Sequence, residues 1–199
     1  MYKLNIQRFG GRGQKYVPNN VLNKAFGKKG KPMESLEAAR GANPHYMDGE
    51  EYRINCQKTV YAYELRRRGY NVEALPTYRG QFDPMYQGGG WYNAFENQTW
   101  DKDLGKRNTQ VQKTIESKMQ NWGEGSRAVI YVAWSKRKSA HVFNVEQKNG
   151  QVYAYDPQKG GMVDLAHYLS MSRPSRTMIS RVDNLSKPRE VLQHAVKEK

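Results

Sequence analysis

The sequence predicts an α+β fold: a cysteine-bearing helix packed against an antiparallel β-sheet, preceded by a flexible basic N-terminal arm. Three observations predict it. Helical apolar spacing runs from Asn55 to Arg68 and again from Val111 to Trp122. β-prone runs then cluster from Arg127 onward, two of them joined by Asn149-Gly150. The first 32 residues hold eight Lys or Arg and no Asp or Glu. Helices followed by a block of hairpin-connected strands favour an α+β layer arrangement over alternating βα units.

The chain has 199 residues and 37% hydrophobic residues, room for one domain of modest core plus appendages. The expected division is a basic arm over 1–33, a folded domain over 34–185 and a polar C-terminal tail over 186–199. No apolar run approaches the ~18–20 residues that would span a bilayer, so no membrane partner is expected. The opening Met1-Tyr2-Lys3-Leu4 lacks the apolar core of a secretory signal, which implies a protein that is cytoplasmic when made. One cysteine excludes an intramolecular disulfide and a multi-cysteine zinc site. The four histidines, His45, His141, His167 and His194, are too scattered to pair as ligands. No metal and no cofactor is expected.

Net charge is +14, and more than half of the excess falls in residues 1–32. Such a stretch, rich in Gly and Asn without an apolar period, reads as an arm able to touch a polyanion. Lys24, Lys28, Lys29 and Lys31 are its candidate contacts to nucleic acid or a capsid. A solubilising tail has the same composition, and charge alone selects no partner.

The elements follow in order. Ser35 to Ala39 is a short helix ended by Gly41-Ala42-Asn43-Pro44. Asn55 is an acceptable N-cap, which puts Cys56 at the first helical position. Arg66, Arg67 and Arg68 fall in the last turn, where cations suit the helix dipole, and Gly69 ends the helix. Tyr70 to Pro76 is extended. Residues 77–107 are a long loop carrying Gly88-Gly89-Gly90 and the aromatics Tyr86, Trp91, Tyr92, Phe95 and Trp100. That content fits a cleft or lid and equally an aromatic core beneath loops. Val111, Ile115, Met119 and Trp122 mark an amphipathic helix stopped by Gly123. Strands are expected over 127–134, 140–147, 151–155 and 177–182, with a short helix over 164–169. The tail from Ser186 reads as a loosely held helix or as disordered.

Asn149-Gly150 is a type I′ hairpin signal, which makes Phe143 face Asp156 and His141 face Gln158. His141 and Asp156 then lie diagonally on one face, together with Val145, Val152 and Ala154. The other face carries Asn144, Glu146, Tyr153 and Tyr155. The His141 face is expected to be the core side, covered by the cysteine helix. A one-residue slip would separate His141 from Asp156.

These parts suit thiol chemistry. The thiolate is the nucleophile, and an ordinary thiol ionises only near about 8.5. A helix N-terminus and a nearby imidazolium both favour the charged form, while a carboxylate behind the imidazole fixes its tautomer. Cys56 as nucleophile, His141 as base and Asp156 as orienting acid would attack an amide carbonyl. Each residue also has a plain structural reading: a buried thiol, a strand histidine, a turn-forming aspartate before Pro157.

The same residues carry a family resemblance. INCQKTVYAYELRRRGYNVEALP at 54–76, GSRAVIYVAW at 125–134, AHVFNVEQKNGQVYAYDPQKG at 140–160 and RVDN at 181–184 are similar to the papain-fold toxins, the Tox-PL domains of bacterial polymorphic toxins and effectors. The resemblance covers roughly residues 50–185. It implies a papain-like fold and a cysteine hydrolase acting on a protein substrate through a thioester, as glutamine deamidase or specific peptidase. It implies the triad Cys56, His141 and Asp156, and an immunity protein as a partner. Gln158 sits where the family often keeps a glutamine and could polarise a site group. Its other reading is a turn-end side chain bonded to backbone. Papain keeps a glutamine several residues before its cysteine to bind the oxyanion, and here that stretch reads Asp48-Gly49-Glu50-Glu51. The donors left are the Cys56 N–H and a group such as Asn55.

Separately, MYKLNIQRFGGRG resembles the N-termini of phage and prophage minor head and capsid-associated proteins. It implies a virion-associated protein, or one delivered into a host cell, with the arm on DNA or capsid. The alternative function is then a non-catalytic head protein.

Overall fold

The computed structural model describes residues 24–199. The MYKLNIQRFGGRG stretch and the basic residues Lys3 to Lys15 lie outside the described residues. From residue 34 onward the α-helices are α1 (Ser35–Ala42), α2 (Cys56–Arg67), α3 (Asn108–Trp122) and α4 (Leu165–Ser170). The strands are β1 (Val72–Ala74), β2 (Arg127–Ala133), β3 (Ala140–Lys148), β4 (Gln151–Asp156), β5 (Gly161–Val163), β6 (Met178–Arg181) and β7 (Val196–Glu198). β5-β4-β3-β2-β6 form one antiparallel sheet, and β1 pairs with β7 in a second.

The hairpin register is the expected one. Asn144 faces Tyr155, Val145 faces Ala154 and Lys148 faces Gln151. Asn149 and Gly150 have φ of 52° and 75°, the doubly positive pair a type I′ turn requires.

Both sheet faces are buried. Ile130, Val132, Phe143, Val145 and Ala154 pack against Val111, Ile115 and Met119 of α3 and Leu165 and Leu169 of α4. Val129, Val142 and Tyr155 pack on the opposite side with Val60, Tyr63 and Leu65 of α2. The cysteine helix therefore covers the face that carries Asn144, Glu146 and Tyr155, not the His141 face expected from the sequence. Alternation along β3 identified the two faces correctly, but polar residues marked one of them as the solvent side. Tertiary pairing reverses that. Glu146, 2% exposed, bonds Arg67, Ser35 Oγ at 2.5 Å and Tyr63 Oη at 3.0 Å. Asn144 Nδ2 donates to the Val60 carbonyl at 3.3 Å.

Helix α2 is buried nearly all round, so its polar residues are partnered inside the fold. Glu64, 0% exposed, receives Arg68 at 2.7 Å and both Arg127 Nε at 2.7 Å and Nη2 at 3.0 Å. A buried carboxylate without such partners would carry a large desolvation penalty, so these pairs fix α2 on β2.

Two boundaries differ from expectation. Residues 24–33 are anchored: Phe26 is buried and meets Tyr70 edge-on at 5.6 Å, and Gly30 N donates to the Gly69 carbonyl at 2.8 Å. Gly69 has φ 98°, and a Cβ there would lie 2.4 Å from the Gly30 carbonyl oxygen, so helix end and arm approach as only glycine allows. The C-terminal tail is not loose either. Residues 190–194 form a 3₁₀ turn that buries Leu192, and β7 follows, with Lys197 opposite Glu73 and bonded to it at 3.0 Å.

Candidate active site

Cys56 opens α2 and is 7% exposed. Asn55 stands at the N-cap position, but its side chain does not cap the helix. Its amide donates to Asn43 Oδ1 at 3.1 Å and to the Leu75 carbonyl at 3.2 Å, and its Oδ1 accepts from Gln158 Nε2 at 3.3 Å. Asn43 Nδ2 in turn donates to the Gln158 and Tyr52 carbonyls, each at 2.9 Å. Three buried amides thus tie the start of α2 to the exit of β4. An Asn55 amide with both hydrogens engaged has none to offer an oxyanion, and Gln158 turns its amide onto Asn55.

His141 is the second residue of β3 and Asp156 the last of β4, so antiparallel pairing sets them at the same end of the sheet. His141 Nε2 lies 3.0 Å from Asp156 Oδ2. This engagement leaves Nδ1 free of the carboxylate, and Cys56 lies near enough to act on the charge of the ring. The helix that bears Cys56 and the face that bears His141 lie on opposite sides of the sheet. They meet because the N-terminus of α2 reaches the sheet end where β3 begins.

The imidazole is held among rings. Trp134 stacks on it at 6.0 Å and 18°, Phe143 at 6.4 Å and 22°, and Tyr168 meets it edge-on at 6.1 Å. Burial draws the His141 pKa down, but hydrogen bonds to Asp156 and Cys56, and their negative charges, overcome it and raise it to about 10. Asp156 shifts the complementary way. Burial would raise it, yet the bond and charge of His141, the Tyr168 hydroxyl and Lys159 hold it below the usual carboxylate range. The environment therefore favours an imidazolium held between a carboxylate and sulfur.

The sequence reading did not single out Tyr168, which donates to Asp156 Oδ2 at 2.8 Å and receives Lys159 Nζ at 3.0 Å. Asp156 Oδ1 accepts from Gln158 N at 3.1 Å, so both carboxylate oxygens are engaged. Nothing in the local pattern around α4 marks Tyr168; the β4–β5–α4 return brings it back over the aspartate. On the opposite face, burial and the nearby charges of Arg176, Tyr86 and Cys56 act on the Tyr131 hydroxyl, whose pKa is raised. Trp91 stacks on Tyr131 at 5.4 Å and 15°, and its carbonyl accepts from Tyr61 Oη. The 77–107 loop supplies an aromatic core beneath the chain, one of the two readings its composition allowed. Met85 and Phe95 are core, Trp91 is partly buried on Tyr131, and Tyr78, Phe82 and Tyr86 are exposed.

Lys24, Lys28, Lys29 and Lys31 are exposed. Lys29 bridges Tyr70 beyond the far end of α2, about 18 Å of helix from Cys56. Among the described residues no group of three His, Cys, Asp or Glu side chains is placed to hold a metal ion, and no helix is long and apolar enough to cross a membrane.

Comparison with known proteins bears on the fold and the family. A variant of the Salmonella effector SpvD aligns with a TM-score of 0.51 over 85% of this chain and 94% of its own, at 16% identity, a likeness of fold alone. No curated protein matches. The family described as papain fold toxin 1, glutamine deamidase, matches residues 54–161, a span that begins just before Cys56 and includes His141 and Asp156. The chain belongs to the papain fold toxin 1, glutamine deamidase family.

Proposed function

We propose that this protein is a cysteine-dependent deamidase that converts a glutamine side chain of a protein substrate to glutamate. The observation that carries the reading is His141, held by Asp156 at 3.0 Å through one ring nitrogen while Cys56, at the start of α2, lies near enough to act on the charge of the ring.

Chemistry follows from those positions. Cys56 Sγ attacks the amide carbon of the glutamine, and the carbonyl oxygen takes the negative charge. The Cys56 backbone N–H, at the N-terminus of α2, is a donor suited to that oxygen. The C–N bond then breaks, His141 gives its proton to the departing nitrogen, and ammonia leaves a thioester on Cys56. Water attacks the thioester while His141 takes its proton. Glutamate is released and the thiolate–imidazolium pair returns.

A peptidase would use the same three residues. Deamidation is favoured by access, since Cys56 and His141 are only 7% and 9% exposed, with Trp134 stacked on the imidazole. A slender side-chain amide enters such a site more readily than a backbone carbonyl with chain on both sides. Membership of the family, together with the effector-like fold, supports action on a host-cell protein after delivery.

The test is ammonia release from glutamine-containing proteins and peptides, with mass spectrometry locating each amide-to-acid change. Cys56→Ala is expected to lower the rate by at least ~10³-fold, as removal of a triad nucleophile does elsewhere, with the fold retained. Undiminished ammonia release by Cys56→Ala would overturn the reading.

A further inference from the structure

The sheet end that holds the site also carries an unneutralised cationic rim. The β2–β3 turn presents Lys136, Arg137 and Lys138, and the segment after α4 presents Arg173 and Arg176, all exposed. The two stretches are fastened together. Ser135 N donates to the Met171 carbonyl at 2.9 Å, Arg173 N to the Ala133 carbonyl at 2.9 Å, and Arg173 Nη2 to the Ser135 carbonyl at 3.3 Å. No Asp or Glu occurs between residues 125 and 145 or between 165 and 182. None of the five cations has a carboxylate partner among the described residues. Asp101, bridged to Ile179 on β6, is already taken by Lys118 at 2.5 Å.

The rim borders the reacting groups directly. Trp134, which stacks on His141, leads into the Lys136–Lys138 turn, and Arg176 and Cys56 both act on the Tyr131 hydroxyl. Five cations held close together repel one another, and exposed charges of one sign beside a cleft steer a partner of the other sign.

We propose that this rim docks an acidic segment of the protein substrate that flanks the target glutamine. The proposal rests on the deamidase reading for the glutamine, but the acidic character comes from the rim alone. A nucleic acid would also answer to positive charge. Protein is favoured because the rim is confined to one turn and one short segment beside an amide-directed thiol, where a polynucleotide has no bond for that chemistry.

The test separates docking from chemistry. Binding is measured by fluorescence anisotropy on the full-length Cys56→Ala protein, with a labelled peptide carrying one Gln between runs of Glu and a matched peptide with Ser in place of Glu. The acidic peptide is expected to bind about tenfold more tightly at low salt, and the difference should shrink as salt shortens the Debye length from about 30 Å to about 3 Å. Adding Lys136→Gln, Arg137→Gln, Lys138→Gln and Arg176→Gln should bring the ratio close to one. The same charge change at Lys24, Lys28, Lys29 and Lys31 should leave the ratio as it was. Equal binding of both peptides overturns the proposal, as does equal loss from either set of four. So does a DNA duplex that displaces the acidic peptide and loses its own binding with the rim substitutions. Ammonia release by the unsubstituted protein is scored on both peptides separately. Rim-dependent binding without ammonia from any peptide sinks the deamidase reading and leaves the docking surface. Ammonia release without acidic preference in binding does the reverse.

Discussion

Tyr168 Oη lies 2.8 Å from Asp156 Oδ2, the same oxygen that faces His141 Nε2 at 3.0 Å. One carboxylate oxygen therefore takes both the ring and the phenol, and Lys159 closes the chain behind the phenol at 3.0 Å. Burial and the adjacent carboxylate hold Tyr168 protonated far above its ordinary range, so it acts as a permanent donor. Its role is to position Asp156, and through it the imidazole.

Tyr168→Phe tests that role. Removing one donor from a buried, charged acceptor is expected to destabilise the fold by about 1–3 kcal/mol. Turnover should fall by roughly tenfold with little change in KM, because the phenol holds the base and does not hold substrate. Urea unfolding measures the first effect and ammonia-release kinetics the second. The acid limb set by Asp156 should also move up, because the Tyr168 hydrogen bond helps hold that carboxyl low, and loss of packing alone would not produce this.

The histidine sets the pH dependence of stability. His141 has its folded-state pKa raised from 6.5 to about 10, so its stabilising contribution is complete below about 6.5 and is lost as pH rises toward about 10. Asp156 is lowered from 3.8, so its contribution is present above that value and is lost as pH falls further. Stability should therefore be greatest between these limits. Urea midpoints measured across pH are expected to decline on the alkaline side, and His141→Asn should flatten that decline. An alkaline limb unchanged in the variant would count against the assignment.

Arg127→Ala should be strongly destabilising, by about 3–5 kcal/mol, because it leaves the fully buried Glu64 carboxylate with Arg68 as its remaining ion-pair partner. Arg127→Met combined with Glu64→Leu and Arg68→Met should recover part of the loss, since the penalty comes from uncompensated charge and Arg68 would otherwise be left without Glu64. Chemical denaturation of the two proteins distinguishes this from simple loss of packing.

Leu192→Ala asks whether the C-terminal segment belongs to the folded unit. Leu192 is 0% exposed within the α2-side core, so truncation is expected to lower stability by about 2–5 kcal/mol. A surface tail would register almost no change in the urea midpoint.

Several parts of this architecture were readable in the residues. The doubly positive turn at Asn149-Gly150 sets the β3–β4 register, and that register alone brings His141 and Asp156 onto one face. Gly69 and Gly123 end α2 and α3 where expected, because both positions need backbone that favours glycine. The C-terminal strand was not readable. Val196–Glu198 is short and polar, and its pairing with Val72–Ala74 joins segments more than 120 positions apart. Nor was the identity of the solvent face, because Glu64, Asn144 and Glu146 look like surface residues until their partners from other elements arrive.

What the sequence by itself determined is local: helix start at Cys56, hairpin register, and the diagonal of histidine and aspartate. Each follows from backbone conformation and side-chain period within a few residues. Only the tertiary structure decided which layer α2 occupies, that Asn55 is spent on Asn43, Leu75 and Gln158, and that Tyr168 bonds Asp156. Those relations join residues distant in the chain, and burial is what selects them, since a buried amide or charge is tolerated only where the rest of the fold supplies its partner.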